Sequence, residues 1–152
     1  MKVKDLMTRN PESCVLTDTA FKAASIMKRN NCGIVPIIED RRSKVLKGIL
    51  TDRDLALYLG KINKPAKKIS VKSITHNKVR TIHPDESLHQ ALKKLEKGRI
   101  HRLPVVDYKN RLQGILSLKD LATEAYKEKR KRVRWVKERD IATVVERISR
   151  SR

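Results

Sequence analysis

The sequence predicts an α/β (α+β) fold of two pseudo-symmetric β-α-β-β-α units packed through their sheets, followed by a C-terminal basic helix. The first observation is a repeat: GILTDRDLA begins at Gly48 and GILSLKDLA begins at Gly114, 66 residues later (114 − 48). Pro36 and Pro104, each inside an apolar segment, are 68 residues apart (104 − 36). Residues 3–7 (VKDLM) and 71–75 (VKSIT) have the same separation of 68 (71 − 3). Features that recur in one order indicate an internal duplication.

The elements of each unit follow from local patterns. A short opening helix precedes a short strand, near Cys14–Val15 in the first copy and Thr81–Ile82 in the second. An acid, Asp18 or Asp85, then opens a helix whose apolar residues recur at helical spacing. These apolar positions are Ala20, Ala23, Ala24 and Met27 in the first copy and Leu88, Ala91, Leu92 and Leu95 in the second.

The second half of each unit is predicted as a hairpin followed by a helix. The first strand of the hairpin contains Pro36, which favours a sheet edge or a bulge because proline lacks an N–H donor. The basic turn at residues 41–44 leads to the partner strand at residues 45–50. The glycines Gly48 and Gly114 would permit a tight approach of the chain into this strand in the two copies.

The domain boundaries are predicted from the repeat. Residues 1–60 form the first copy, residues 61–69 (KINKPAKKI) an exposed linker, residues 70–125 the second copy, and residues 126–152 a basic tail that is predicted to be helical.

The composition limits the class of protein. Of 152 residues, 39% are hydrophobic and the formal net charge is +20, so the chain can build a core and attracts anions. We found no signal-peptide core or membrane-span pattern, and we therefore expect a cytoplasmic protein with two buried, reduced thiols at Cys14 and Cys32. The histidines have no metal-ligand spacing, and no nucleophile has an identifiable base, so we expect neither a metal site nor an enzyme.

The repeated segment ends in a hydroxyl residue followed three residues later by an acid, and this pattern has two interpretations. It resembles a capping box, in which the hydroxyl and the acid satisfy backbone groups at the start of a helix. The same geometry, at the carboxyl end of a strand, suits a sugar-phosphate, because the hydroxyl and the amides can contact phosphate and the acid can accept both ribose hydroxyls. The residues concerned are Thr51 and Asp54 in the first copy, Ser117 and Asp120 in the second, with Arg53 and Lys119 between them as sources of positive charge.

The ordered set of these motifs resembles a tandem pair of cystathionine-β-synthase (CBS) domains over about residues 1–125. The resemblance rests on DLMT at the start, on hydrophobic-Pro-hydrophobic-hydrophobic-acid in the middle and on Gly-x-x-(Ser/Thr)-x-x-Asp at the end of the repeat. It implies a non-enzymatic regulatory module, commonly dimeric, that requires no cofactor. Such a module binds AMP, ADP, ATP or S-adenosylmethionine as a regulatory ligand in clefts between the two units.

The resemblance also implies a role for particular residues. Asp54 and Asp120 would hold ribose, and Thr51 and Ser117 would face phosphate. Adenine would be flanked by Cys14, Val15, Ile34 and Val35 in the first copy and by Thr81, Ile82, Arg102 and Leu103 in the second.

The two copies are unequal before the proline. The second has His101 and Arg102 where the first has Gly33 and Ile34, so only the second offers positive charge at this place. We therefore expect unequal occupancy, with the cleft that uses Ser117 and Asp120 favoured.

The tail leaves several functions open. Residues 127–152 hold eleven Lys/Arg and four Asp/Glu, a net charge of +7 (11 − 4). Ile141, Val144, Val145 and Ile148 form an amphipathic stripe that would dock on the protein's own module, on a second subunit of a homodimer, or on another protein. The competing function is nucleic-acid binding through the basic tail and body, with Trp135 among the cations, although few aromatics are available for stacking. A third interpretation is an adaptor with empty clefts.

Overall fold

The computed structural model describes residues 1–128 and 136–150. The chain forms six strands, five α-helices and three short 3₁₀ helices within these residues. In chain order they are a 3₁₀ helix at Val3–Asp5, β1 (Thr8–Arg9), β2 (Cys14–Val15), α1 (Ala20–Arg29), β3 (Ile34–Ile38), β4 (Leu46–Thr51), α2 (Asp52–Leu59), 3₁₀ helices at Ala66–Lys68 and Val71–Ser73, α3 (Leu88–Gly98), β5 (Arg102–Val106), β6 (Leu112–Ser117), α4 (Leu118–Glu128) and α5 (Glu138–Ser149). The predicted α+β fold class is confirmed, including the C-terminal helix. The proposed helical course of the charge run before α5, and Trp135, lie outside the described residues.

The chain divides into two compact units that do not coincide with the two sequence repeats. Unit one contains Met1–Asn10, Arg80–Tyr108 and the described residues from Gln113 onwards, and unit two contains Pro11–Val79 and Lys109–Leu112. The opening segment of the first repeat therefore belongs with the body of the second repeat, and the opening segment of the second belongs with the body of the first.

Backbone hydrogen bonds show how each opening segment is held in its unit. In unit one, the Val3 N–H donates to the Glu86 carbonyl at 2.9 Å. In unit two, the Val71 N–H donates to the Asp18 carbonyl at the same distance, 2.9 Å. Val3 and Val71 are fully buried, so each opening segment also contributes to a hydrophobic core.

Unit one contains a three-stranded sheet in the order β1-β6-β5. β1 pairs antiparallel with β6, placing Arg9 opposite Gly114. The helices α3, α4 and α5 contribute to its core, whose fully buried members include Ile82, Leu95, Leu103, Leu116 and Leu121. The stripe of the C-terminal helix docks on this unit, since Ile141, Val144 and Ile148 are buried in the same core.

Unit two contains a sheet in the order β2-β3-β4, with β3 in the middle. Its core includes Cys14, Val35, Ile37 and Leu50. Pro36 lies in the middle strand of this sheet, but β2 is only two residues long and pairs with Ile37 and Ile38, beyond the proline. Pro36 is therefore paired with β4 and not with β2, so its position is locally that of an edge. The register of β3 with β4 shifts between Ile37 and Ile38, so an irregularity does lie close to the proline.

The first long helix of each repeat begins later than the acids Asp18 and Asp85 suggested. Helix α1 begins at Ala20 because the Thr19 hydroxyl accepts the Lys22 N–H at 3.2 Å. The Ser87 hydroxyl caps α3 in the same way. Asp18 instead accepts the Val15 N–H at 2.9 Å, and so it holds the preceding turn. Hydroxyl side chains closer to the helix thus take the capping role.

The two cysteines differ in exposure, which corrects the expectation that both are buried. Cys14 is buried and Cys32 is only half-buried. Burial, and to a smaller extent the nearby Asp18 carboxylate, raise the pKa of the Cys14 thiol to about 11. Because a thiol must ionise and be reached in order to react, Cys14 is doubly protected.

We therefore expect one fast-reacting thiol per folded chain. At pH 8, a chromogenic disulfide reagent should modify Cys32 readily and Cys14 only after unfolding in guanidinium chloride. The Cys32→Ser variant should show no fast phase. Two fast thiols in the native wild type would contradict the burial of Cys14.

No helix within residues 1–128 and 136–150 combines the length and apolar character needed to cross a membrane.

Candidate functional site

A cavity of about 310 Å³ lies within unit one, at the ends of β5 and β6. Its lining combines polar and apolar side chains. The polar residues are His101, Arg102, Ser117 and Lys119, and the apolar residues are Leu118, Ala122, Ile141 and Val145. A cavity with a cationic part and an apolar part suits a ligand that carries both an anionic group and a flat, weakly polar ring.

The cavity is positioned by the junction of two strands with a helix. β5 begins at Arg102, β6 ends at Ser117 and α4 begins at the next residue. The Leu118 N–H donates to the His101 carbonyl at 2.8 Å and holds the start of β5 against the start of α4. The positive end of the helix dipole therefore lies at the cavity, beside the two cations.

Ser117 and Asp120 form a reciprocal cap at the start of α4. The Asp120 N–H donates to Ser117 Oγ at 3.1 Å, and Asp120 Oδ2 accepts the Ser117 N–H at 2.8 Å. The Ser117 hydroxyl also lies 2.7 Å from Asp120 Oδ2, to which it donates its proton. The capping interpretation of the motif is thus observed, and the donors that face an anion are chiefly Arg102 and Lys119.

Asp120 is not among the residues that line the cavity. It is hydrogen-bonded to Ser117, which does line the cavity. In the part of the chain that the structure describes, no bond to Asp120 Oδ1 is found. Its contact with ribose therefore remains a prediction.

The matching corner of unit two has the same cap with a different environment. Thr51 Oγ1 accepts the Asp54 N–H at 3.1 Å, as in unit one. The second oxygen, Asp54 Oδ1, is engaged by His76 Nε2 at 2.9 Å. Partial burial acts to raise the pKa of Asp54, but the hydrogen bonds from Thr51 and His76 outweigh it and hold the pKa below its usual range. Asp54 is thus an ionised carboxylate with both oxygens occupied.

The charges around the two caps differ in sign. In unit two, Asp52 occupies the position that Leu118 has in unit one. Its carboxylate fills the space over Gly33, where an added Cβ would lie 2.7 Å from Asp52 Oδ2. Arg53 is therefore flanked by the carboxylates of Asp52 and Asp54, whereas Lys119 shares its corner with Arg102. This difference favours anion binding at unit one, and the unequal occupancy of the two copies stays a prediction.

The predicted adenine-flanking residues do not line the cavity, apart from Arg102. Cys14, Val35, Ile82 and Leu103 have no exposed surface, and Ile34 retains 5%. The backbone of Ile82 is occupied by strand pairing, since its N–H donates to the Pro104 carbonyl at 3.1 Å and its carbonyl accepts the Val106 N–H at 3.0 Å.

The two half-buried members of this set have backbone groups in use. The Val15 N–H donates to Asp18, and the Thr81 carbonyl accepts from Lys94 Nζ at 3.2 Å. An adenine-flanking role for these residues stays a prediction.

Four lining residues were missed from the sequence. Leu118 and Ala122 face the cavity from the first turns of α4, and Ile141 and Val145 face it from α5. The signal for the second pair was present, because Ile141 and Val145 belong to the amphipathic stripe. The stripe did not indicate which surface it would meet.

The comparison with protein families is decisive for the fold and its repeat. A family model described as the CBS domain matches residues 3–61 and 71–127. The chain belongs to the CBS domain family. Both CBS matches end before α5, so the second apolar wall of the cavity comes from outside the family region.

Individual relatives agree with this assignment. The CBS domain-containing protein YhcV of Bacillus subtilis is 38% identical over 120 residues, covering 79% of this chain and 82% of that protein. The structure of AcuB from Vibrio cholerae is similar, with a TM-score of 0.74 and 32% identity over 84% of this chain and 91% of that chain. The CBS domain pair of protein MJ0100, solved in complex with 5-methylthioadenosine and S-adenosyl-L-methionine, has a TM-score of 0.71 and 29% identity, covering 81% of this chain and 94% of that chain.

Proposed function

We propose that this CBS pair is a non-enzymatic regulatory sensor that binds an adenosine-containing ligand in the cavity of unit one. The observation that carries the proposal is a single cavity lined both by two cations and by an apolar surface. The cations are Arg102 at the start of β5 and Lys119 in the first turn of α4, and the apolar surface comes from α4 and α5. The adenosine-derived ligands of the similar MJ0100 pair support the choice of ligand class.

The orientation of the ligand follows from the chemistry of the polar and the apolar lining residues. The phosphate of AMP, ADP or ATP, or the carboxylate of S-adenosylmethionine, would contact Arg102 and Lys119. The adenine ring would pack between the first turns of α4 and the residues Ile141 and Val145 of α5. At about 310 Å³ the cavity is at the lower end of the range for ligand sites, which suits one nucleoside with its charged group directed outwards.

Regulation requires that the ligand stabilise one state of the protein over another. Helix α5 supplies both a wall of the cavity and part of the core of unit one, through Ile141. Ligand binding would therefore favour the docked state of α5.

A thermal-melt panel tests the proposal. A ligand present at 100 times its dissociation constant should stabilise the chain by about 2.7 kcal/mol. For a chain of this size the corresponding rise in Tm is roughly 5–10 °C. AMP, ADP, ATP and S-adenosylmethionine are the ligands to compare, with GMP and inorganic phosphate as controls. Unchanged melts with all four adenosine compounds would refute the proposed ligand class.

A bulky residue in the apolar wall should block the cavity. Val145 retains 43% of its surface, so Val145→Trp can be accommodated without loss of the core and would fill the space next to Ile141. We expect this variant to melt within about 2 °C of the wild type, because exposed substitutions change stability by about 0.5 kcal/mol. Its melt should no longer respond to the nucleotide that stabilises the wild type.

Val145→Ala provides the matched control, since it enlarges the cavity and should keep the response. A full nucleotide response in Val145→Trp would place the ligand elsewhere.

A homodimer is also part of the proposal. Phe21 in α1 and Leu57 in α2 expose about half of their surfaces and would be covered by a second copy. Sedimentation equilibrium should give twice the chain mass, and Leu57→Glu should return the mass toward that of one chain. A monomeric wild type at micromolar concentration would refute this part.

A further inference from the structure

A second depression on unit one is strongly basic and shares no residue with the nucleotide cavity. Its volume is about 610 Å³, and it lies between α3 and α5 near the end of each helix. We call it the α3–α5 groove, and its lining residues are Lys93, Glu96, Lys97, Arg99, Arg147 and Arg150.

Two of the five cations are already paired. Arg147 Nη1 donates to Glu96 Oε1, and Arg150 Nη2 pairs with Glu146 Oε1. Lys93, Lys97 and Arg99 are exposed, and within residues 1–128 and 136–150 no carboxylate lies within 4.0 Å of them. The groove therefore presents three positive charges that its own acids do not neutralise.

The dipole of α3 compensates only part of this positive charge. α3 ends at Gly98, and Arg99 takes the left-handed cap conformation with φ of 51°. The carboxyl end of a helix carries about half a negative charge, which can favour one cation but not three. Lys93 and Lys97 lie four residues apart on one face of α3, a spacing at which like charges destabilise a helix. Arg80 adds a further positive charge, because its side chain lies against Gly98 at the end of α3. Its Cδ is 2.8 Å from the position that a Cβ on Gly98 would take.

The lining also indicates which kind of anion would bind. No aromatic side chain is among the six lining residues, so the groove offers no surface on which a base could stack. Long, exposed lysines and arginines in a row instead match the phosphates of a nucleic-acid backbone, which are contacted without reading the bases.

We propose that the α3–α5 groove binds the phosphodiester backbone of duplex nucleic acid, without sequence specificity. This inference does not depend on the nucleotide-sensor proposal. The net charge of +20 on the chain would attract the duplex, and the groove would hold it. The sequence had placed this function on the basic tail and body without indicating a surface; here α3 and the residue after it supply the uncompensated cations, and the tail supplies Arg147 and Arg150 from α5 and its C-cap.

The test is a comparison of two triple variants of the full chain. The groove variant is K93Q/K97Q/R99Q, and the matched control is K28Q/K61Q/K64Q, which removes three exposed charges from unit two. Binding to a fluorescently labelled 20-base-pair duplex of arbitrary sequence is measured by anisotropy at several salt concentrations. Circular dichroism melts confirm that both variants are folded.

We expect the groove variant to lose at least tenfold in affinity at about 0.1 M salt, because its bound state releases fewer counterions. The slope of log Kobs against log salt should become shallower by about 2.7, that is 0.9 for each of three lost phosphate contacts. The control should keep its slope and most of its affinity.

Three results would overturn the inference. These are equal losses in the two variants, no binding of the wild type to duplex at low salt, and binding of the wild type to phosphatidylserine vesicles but not to duplex. The nucleotide-induced rise in Tm should be the same in the groove variant and the wild type, so a failure of the sensor proposal is detected separately.

Discussion

Replacing Arg102 and Lys119 together by glutamine should abolish the rise in Tm that the best adenosine ligand produces. Each side chain would make a charge-assisted hydrogen bond to the anionic group, and such a bond contributes about 1.5–3 kcal/mol. Loss of both, at least about 3 kcal/mol, weakens binding more than a hundredfold. A ligand concentration of 100 times the original dissociation constant would then lie below the new one, and the stabilisation would fall below about 0.4 kcal/mol.

The matched control uses the corresponding cation of the other unit. Arg53 occupies the position of Lys119 but is flanked by Asp52 and Asp54, so R53Q combined with K28Q should preserve the nucleotide response. Both double variants lose two positive charges, which separates a specific contact from a general change in charge. A response that survives in R102Q/K119Q and disappears in R53Q/K28Q would place the ligand in unit two.

Substituting Gly114 by alanine should destabilise the chain by about 1–3 kcal/mol, as overpacking substitutions do. An added Cβ at Gly114 would lie 2.7 Å from the Thr8 carbonyl oxygen and 2.7 Å from Met7 Sδ. The Thr8 carbonyl belongs to β1, which pairs with β6, so β1 would have to move away from the sheet. In a thermal melt the loss corresponds to roughly 2–12 °C.

Gly60 gives the control for this substitution. It caps the end of α2 with φ of −69°, and the nearest atom to an added Cβ is the Ala56 carbonyl oxygen at 3.4 Å. Gly60→Ala should therefore be neutral or stabilising by up to about 1 kcal/mol, through the reduced freedom of the unfolded chain. Equal effects of the two substitutions would show that β1 adapts to a side chain at position 114 without cost.

Local patterns predicted the local structure well. The hydroxyl–acid spacing gave the caps at Thr51 and Ser117, because capping depends on residues three apart in sequence. The hairpin of β3 and β4 was predicted because its two strands are close in the chain. In each case the interacting residues are close together in the sequence, so a short segment is enough to predict the interaction.

The remaining features depend on contacts between distant residues. The bond from His76 to Asp54 joins positions 22 residues apart (76 − 54), and nothing in either segment indicates it. The stripe of α5 predicted burial but not its partner, since any apolar surface would satisfy a hydrophobic face. For Pro36 the sequence left an edge and a bulge open, because the length of β2, which decides how far the pairing extends, cannot be read from the segment around the proline.

Residues 1–10 and 71–79 each pack with the body of the other repeat, which has a consequence for how the chain assembles. In a single repeat made alone, the first segment would lack the body on which it packs in this chain. The body of that repeat would in turn lack the segment that the other repeat supplies. Two identical copies could satisfy each other by exchanging these segments, and the two repeats of this chain make the same exchange within one chain. Cutting the linker should accordingly yield two pieces that fold only when mixed.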